Sequence, residues 1–229
     1  MTKTRSTPHT TATERVYRAI RRNILEGVYD GEQFLREEGL ARAFQISRTP
    51  IREALRRLVS EGWLEQIPHR GARVVEWTRD DADEVFELRS ILESHAVRRA
   101  ATRMQPREIA RLRHLVDAME SMSSAQQSES REDIATLNDQ FHQTILESAG
   151  SPRLQRLVNA IVQAPMTTRS FHRYNASEMA RSMTQHREIL QAIEARDPVW
   201  AAAVMRSHIL AARPAHHRSD APPHEPSHR

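Results

Sequence analysis

SRTPIREALRRLVSEGWL, residues 47–64, is the stretch that decides the fold of the first part of the chain. Ser47 is a good helix N-cap, and Pro50 falls in the first turn, where its missing N–H costs nothing. Apolar residues then recur at helical spacing until Gly62, a residue typical of a helix end. The pattern predicts one amphipathic helix whose polar face carries arginines.

The residues on either side of this helix complete a recognisable order of elements. Upstream, apolar positions at helical spacing predict a helix over residues 14–28 and a shorter one over 37–44. Downstream, two short strands are expected over 63–67 and 72–75, joined by a glycine-containing hairpin tip. Helix, helix, turn, helix and hairpin together form a winged helix-turn-helix.

After residue 77 the pattern is helical throughout. The predicted fold class is therefore mainly α, with an N-terminal winged helix-turn-helix followed by an all-α antiparallel helical bundle. Six bundle helices are expected, at about 80–103, 106–124, 131–149, 151–173 with a kink at Pro165, 177–195 and 198–213. The expected domains are a disordered arm 1–12, a DNA-binding domain 13–76, a linker 77–81, a helical effector and dimerisation domain 82–213, and a disordered tail 214–229 that holds His216 and His217.

Composition and charge narrow the possible classes of protein. Residues 1–76 carry 14 Lys+Arg against 10 Asp+Glu, and the remainder carries 20 of each, so the whole net charge of +4 lies in the first domain. The absence of cysteine excludes disulfides and cysteine-based zinc fingers. No signal peptide and no apolar run of about 18 residues is present, so a cytoplasmic protein is expected.

The arginine-bearing helix is expected to read DNA. Arg48, Thr49 and Arg52 lie at its N-terminal end, where recognition helices meet base edges, and Arg56 and Arg57 are placed for phosphates. The alternative is a solvated arginine-rich helix in an ordinary helical domain. Including the hairpin tip, the predicted DNA-binding set is Arg36, Arg48, Thr49, Arg52, Arg56, Arg57, His69, Arg70 and Gly71.

Three expected bundle helices each carry a histidine on an apolar stripe, namely His142, His186 and His208. Pointing inward from neighbouring helices, these imidazoles can converge, and with an oxygen ligand they suit zinc, nickel or a similar divalent ion. Asn138 lies four residues before His142 and is a candidate for that oxygen. The alternative is that each histidine is a hydrogen-bonded core residue.

Several motifs resemble a known family. SRTPIREALRRL at 47–58 resembles the winged helix-turn-helix of GntR-type regulators, although Glu38, Gly39 and Gln45 depart from the common residues. ELRSILE at 87–93, NDQFHQTIL at 138–146 and QHREILQAIEARDP at 185–198 resemble the FCD effector domain of the FadR branch. Six expected helices point to the VanR-like variant.

The resemblance implies a homodimeric transcriptional regulator, more often a repressor than an activator, that binds a pseudo-palindromic operator and is not an enzyme. It implies a divalent metal ion, zinc or nickel, held by Asn138, His142, His186 and His208. It also implies a small carboxylate effector that meets Arg89, for which a salt bridge with Glu93 is the alternative role.

Two other classes of protein, an enzyme and a non-specific DNA binder, have less support in the sequence. A metal-dependent hydrolase lacks support because no general-base carboxylate stands beside the histidines as it does in HExxH. A non-specific architectural DNA binder would leave the polar groups of the bundle core unexplained.

Overall fold

The computed structural model describes residues 11–31, 33–76, 78–124, 130–162 and 164–217. The chain divides after Glu76 into two compact units. Helices dominate the described residues and the only strands among them form one small sheet, so the predicted mainly α fold class is confirmed. In the same residues, no helix combines the length and apolar character needed to cross a bilayer.

The first unit has the element order predicted from the sequence. It contains α1 Ala12–Leu25, α2 Glu37–Phe44, α3 Arg48–Ser60, β1 Leu64–Ile67 and β2 Gly71–Val74. The two strands are antiparallel, with Leu64 opposite Val74. Ile20, Ile51, Leu58 and Trp63 are at most 1% exposed and form the centre of the core that the three helices share with the hairpin.

The hairpin is held to the segment that enters α2. Leu35 and Ala72 exchange both backbone hydrogen bonds, at 2.7 and 3.1 Å. Gly71 makes this pairing possible, because its φ is +114° and an added Cβ would lie only 2.8 Å from the carbonyl oxygen of Leu35. A glycine is therefore required at the base of the wing.

The turn between α2 and α3 shows one difference from the expected capping. Gln45 adopts the left-handed conformation, with φ 54°, and its N–H caps the last turn of α2. Ser47 occupies the N-cap position of α3 with an extended backbone, but its side chain makes no capping hydrogen bond. The position was predicted correctly and the capping bond was not.

The second unit is a bundle of seven helices in the described residues. They are α4 Arg79–Arg103, α5 Pro106–Ser124, α6 Ser130–Ser148, α7 Pro152–Ile161, α8 Ala164–Arg173, α9 Ala176–Glu194 and α10 Pro198–His216. The expected helix over 151–173 is thus two helices. Val162 leaves the helical conformation with ψ 107°, and Pro165 lies in the first turn of α8, where its missing N–H is not needed. The expected count of six helices is therefore corrected to seven in the described residues, and the VanR-like variant, which that count suggested, stays a prediction.

The C-terminal helix continues beyond the predicted boundary. Residues 214–217 were assigned to a disordered tail, yet α10 includes Pro214 and ends at His216. His216 is buried with its ring 5.7 Å from that of Phe86, and His217 Nε2 lies 2.8 Å from Asp83 Oδ1. These contacts with α4 offset the backbone bond lost at the proline. The rest of the predicted tail, and residues 1–10 of the predicted arm, lie outside the described residues.

Polar side chains are enclosed within the core of the second unit. The apolar core includes Phe86, Leu112, Phe141 and Ile193, each fully buried. Among these side chains the bundle also buries several polar and charged groups, chiefly on α4, α6, α9 and α10: Arg89, Glu93, Asn138, His186 and His208. Buried polar groups are costly unless they are paired, so this group marks the candidate site of the unit.

Candidate DNA interface and metal centre

The N-terminal end of α3 presents two arginines that are paired with glutamates of α2. Arg52 makes a bidentate ion pair with Glu37, with Nε–Oε1 and Nη2–Oε2 distances of 2.9 Å. Arg48 Nη2 lies 3.0 Å from Glu38 Oε1. All four residues are at the surface, where ion pairs are weak and screened by salt, so both guanidinium groups can exchange partners.

A cleft between α3 and the hairpin brings most of the remaining predicted DNA-binding residues together. Arg36 Nε donates to the carbonyl oxygen of Arg70 at 3.3 Å, and the Arg70 guanidinium lies 5.7 Å from the ring centre of Phe34. The cleft has a volume of about 840 Å³, and its predicted lining residues are Arg36, Arg52, Arg56, His69, Arg70 and Gly71. Thr49 is exposed on the first turn of α3.

Arg57 has a different environment from the other arginines of α3. Its Nη1 lies 2.9 Å from Glu14 and its Nε 2.9 Å from Glu61, and its guanidinium lies 3.8 Å from the ring centre of Tyr17. These contacts join α3 to α1. Its phosphate contact stays a prediction, and the structure gives Arg57 a role within the unit that the sequence pattern did not indicate.

The three stripe histidines lie together in the second unit. His142 comes from α6, His186 from α9 and His208 from α10, and one nitrogen from each lies within 4.8 Å of the others. The ring centres of His186 and His208 are 4.3 Å apart. This group, with Asn138, is called the histidine cluster below.

Within the described residues, hydrogen bonding leaves a ring nitrogen of His142 without a partner. Glu93 Oε2 lies 2.6 Å from His142 Nδ1, and an ionised carboxylate only accepts hydrogen bonds, so Nδ1 carries the proton. In the neutral ring, Nε2 then has a free lone pair. That atom is buried and has no hydrogen-bond partner among the described residues. A carboxylate that orients a histidine in this way is the usual support of a metal ligand.

His186 shows a similar arrangement. Its Nδ1 lies 2.7 Å from the backbone oxygen of Ser182, which can only accept, so the lone pair is on Nε2. That lone pair lies 2.8 Å from Asn138 Oδ1, which is also an acceptor. Two acceptors at this distance require either a cation in contact with both or an amide turned to donate from its nitrogen. His208 Nδ1 is likewise buried without a partner in the described part of the chain.

The charge states of the site favour neutral His186 and His208 imidazoles near an ionised Glu93 carboxylate. Burial lowers the pKa of His186 to about 3, helped by the neighbouring His142, and burial also lowers the pKa of His208. For Glu93, burial raises the pKa, but Arg89 and His142 outweigh it and bring it to about 2. Neutral imidazoles with unpartnered lone pairs and an amide oxygen fit a divalent ion.

Arg89 lies at the edge of the histidine cluster. Its Nε donates to Glu93 Oε1 at 2.7 Å, and both side chains are buried, so the alternative salt bridge is present. Arg89 also lines two cavities, of about 20 and about 480 Å³. Sequence reasoning missed Ser182 and the contact of Glu93 with His142. Ser182 precedes His186 by one helical turn, which is a signal that could have identified it.

Comparisons with known proteins agree for both units. Residues 12–74 match the model of bacterial regulatory proteins of the gntR family, and residues 84–211 match the FCD domain. The chain is 30% identical over 181 residues to a probable D-xylose utilization operon transcriptional repressor of Paenarthrobacter nicotinovorans, covering 79% of this chain and 78% of that protein. It is 25% identical over 191 residues to the gluconate operon transcriptional repressor of Bacillus subtilis, covering 80% and 76%.

A solved structure has the same fold. Escherichia coli McbR/YncC aligns with a TM-score of 0.60 at 22% identity, covering 87% of this chain and 94% of that one. The predicted resemblance to GntR-type regulators with an FCD domain is confirmed by these matches.

Proposed function

The chain belongs to the GntR family of bacterial regulators and carries an FCD domain, and from this premise we propose how it regulates transcription. The family and the matched relatives are transcriptional regulators rather than enzymes. Our proposal is that this regulator is a repressor. A small organic acid, bound in the second unit beside a divalent metal ion, controls its affinity for the operator.

Operator reading is assigned to the exposed end of α3 and to the wing. Arg48, Thr49 and Arg52 enter the major groove, and His69 and Arg70 at the hairpin tip reach the adjacent minor groove or backbone. The basic cleft between α3 and the hairpin supports this assignment, since Arg36 and Arg56 there are placed for phosphates. Two copies of the chain present two such helices, so the operator is pseudo-palindromic.

Glu37 and Glu38 give the free protein a way to hold its reading arginines in place. The bidentate pair with Glu37 holds the Arg52 guanidinium through Nε and one Nη, which leaves further N–H groups for a guanine edge. Because the pairs are exposed, DNA replaces them at little cost.

The metal ion is assigned to the histidine cluster, with Asn138, His142, His186 and His208 as ligands. The observation that carries this assignment is that two buried ring nitrogens of the cluster, His142 Nε2 and His208 Nδ1, have no hydrogen-bond partner in the part of the chain that the structure describes. Zinc and nickel both suit imidazole ligands. When bound, the ion supplies positive charge that attracts a carboxylate, and Arg89 is the protein's own cation at this place.

The effector acts by favouring one of two arrangements of the dimer. It shifts DNA affinity only as far as its own affinity differs between the DNA-bound and DNA-free arrangements. The predicted linker 77–81, of which residues 79–81 form the first turn of α4, is the segment through which the change passes.

The test begins with a duplex selected from a random library by the full-length protein. Binding to this duplex and to a scrambled one is measured by fluorescence anisotropy, with zinc or chelator and with a panel of carboxylates. We expect a metal-dependent carboxylate to weaken binding to the selected duplex in the wild type and not in His208→Ala. His114→Ala, an exposed histidine on α5, is the matched control and should respond like the wild type. A carboxylate response that persists in His208→Ala would contradict the proposal.

A further inference from the structure

The two cavities that Arg89 and His142 line together differ greatly in size. The cavity beside the histidine cluster, bordered by Asn138, Thr167 and Tyr174, measures about 20 Å³, which is room for about one water molecule. The cavity bordered by α4, α6 and α7 measures about 480 Å³, within the range of roughly 300–1,000 Å³ that holds small organic ligands. An organic acid therefore has space only in the second, called the α4–α6–α7 cavity below.

The α4–α6–α7 cavity has a strongly apolar wall. Its apolar side chains come from α4, α6, α7, the residue that follows α7, and α10: Ala96, Ile145, Leu146, Val158, Val162 and Met205. Most of them are fully buried in the bundle. The lining also includes Thr136, Gln140, Gln143 and Asn159, which can pair a hydroxyl group, but a hydroxyl set against the hydrocarbon wall itself would remain unpaired and weaken binding.

The polar end of the cavity carries the groups that suit a carboxylate. Arg89 uses its Nε for Glu93, and its other N–H groups have no hydrogen-bond partner among the described residues. The Glu93 carboxylate is already paired with Arg89 and His142, so its negative charge repels a bound anion less than an unpaired carboxylate would. With a divalent ion on His142, as the proposed function requires, this end of the cavity is net positive.

We propose that the effector is an amphipathic monocarboxylic acid, aliphatic or aromatic, whose hydrocarbon body fills the α4–α6–α7 cavity while its carboxylate pairs with Arg89. This inference rests on the proposed function and narrows its ligand class. An effector of this class differs from the sugar and the sugar acid that appear in the names of two relatives, which are repressors of a D-xylose and a gluconate operon.

Asp139 provides a test of the sign of the ligand's charge. It lines the same cavity, and Asn138 Nδ2 donates a long hydrogen bond of 3.5 Å to its Oδ1. A carboxylate in the cavity is repelled by Asp139, whereas an amine would be attracted. Asp139→Asn should therefore tighten the binding of an acid and weaken that of an amine.

The experiment is isothermal titration of the zinc-loaded full-length protein with butanoate, hexanoate, gluconate and hexylamine. We expect hexanoate to bind, and each added methylene from butanoate onward should tighten binding roughly fourfold. Gluconate and hexylamine should give no heat of binding. Val162→Phe, which narrows the cavity with a larger side chain, should weaken hexanoate binding at least tenfold. Leu157→Phe, the same kind of change at an exposed position of α7, should leave it unchanged.

Several results would overturn the inference. They are gluconate binding as tightly as hexanoate, no gain along the acid series, or hexylamine binding that Asp139→Asn abolishes. The acid series needs only the wild type, so the test stands even where Val162→Phe fails to fold. If gluconate binds and weakens the complex with the selected duplex, the inference of an amphipathic acid is refuted but the proposed function stands. If no carboxylate binds at all, both are refuted.

Discussion

Replacing Glu93 by glutamine should destabilise the second unit by about 3 kcal/mol at neutral pH. Arg89 and His142 bring the pKa of this buried carboxyl from 4.5 to about 2, although burial alone would raise it. At about 1.4 kcal/mol for each pKa unit, the ionised form stabilises the fold by roughly 3 kcal/mol. Glutamine resembles the protonated carboxyl, so Glu93→Gln removes this contribution. Breaking a buried ion pair typically costs about 3–5 kcal/mol, which agrees.

The pH dependence follows from the direction of the shift. Because the pKa is lower in the folded state, the stabilisation is complete above about pH 4.5 and is lost as the pH falls towards about 2. The difference in unfolding free energy between wild type and Glu93→Gln should therefore shrink over this range.

Urea denaturation of the metal-free proteins, followed by far-ultraviolet circular dichroism, measures this difference. Glu84→Gln is the matched control, since Glu84 is exposed on the same helix, and it should stay within about 0.5 kcal/mol of the wild type. A Glu93→Gln variant as stable as the control at neutral pH, or a difference that does not shrink on acidification, would refute the reasoning.

Three further predictions concern DNA reading, the wing and the metal. Arg52→Ala should weaken binding to the selected duplex about 5- to 150-fold, as measured by fluorescence anisotropy. Arg42→Ala, on the exposed face of α2, should leave binding unchanged. Equal effects of the two substitutions would count against base reading by Arg52. Gly71→Ala should destabilise the first unit by about 1–3 kcal/mol in urea denaturation, because residue 71 has a positive φ and its added Cβ would lie close to the Leu35 carbonyl oxygen. Gly39→Ala in α2 should instead stabilise the unit by about 0.5–1 kcal/mol. A Gly71→Ala protein as stable as the wild type would contradict this account of the wing. Zinc at a hundredfold excess over its Kd should add roughly 2.7 kcal/mol to the unfolding free energy of the wild type, as measured by thermal unfolding. It should add nothing to that of His208→Ala. Equal gains in both proteins would show that the ion binds at another place.

The first unit was largely predictable because its signals are local. The helical spacing and proline of α3, the turn before it and the glycine of the wing each act over a few residues. Arg57 shows the limit of such signals, since on the helix it resembles its neighbour Arg56. Only folding places Glu14 and Tyr17 beside it.

In the second unit the convergence of the histidines was suggested by their stripes, but the groups that orient them were harder to identify. Glu93 and His142 are 49 residues apart, and no periodicity reports their contact. The break between α7 and α8 was also missed, because Pro165 is compatible both with a kinked helix and with the start of a new one. The extension of α10 past Pro214 depends on packing against α4, which local propensity does not reveal.

The most direct test of the histidine cluster is the metal content of the untagged full-length protein, measured by plasma mass spectrometry after purification and dialysis. The account predicts about one zinc or nickel ion per chain in the wild type and in His114→Ala, and almost none in His142→Ala, His186→Ala or His208→Ala. A wild-type protein that retains no ion and takes none up from added zinc would contradict the account, as would variants of the three histidines that keep their ion.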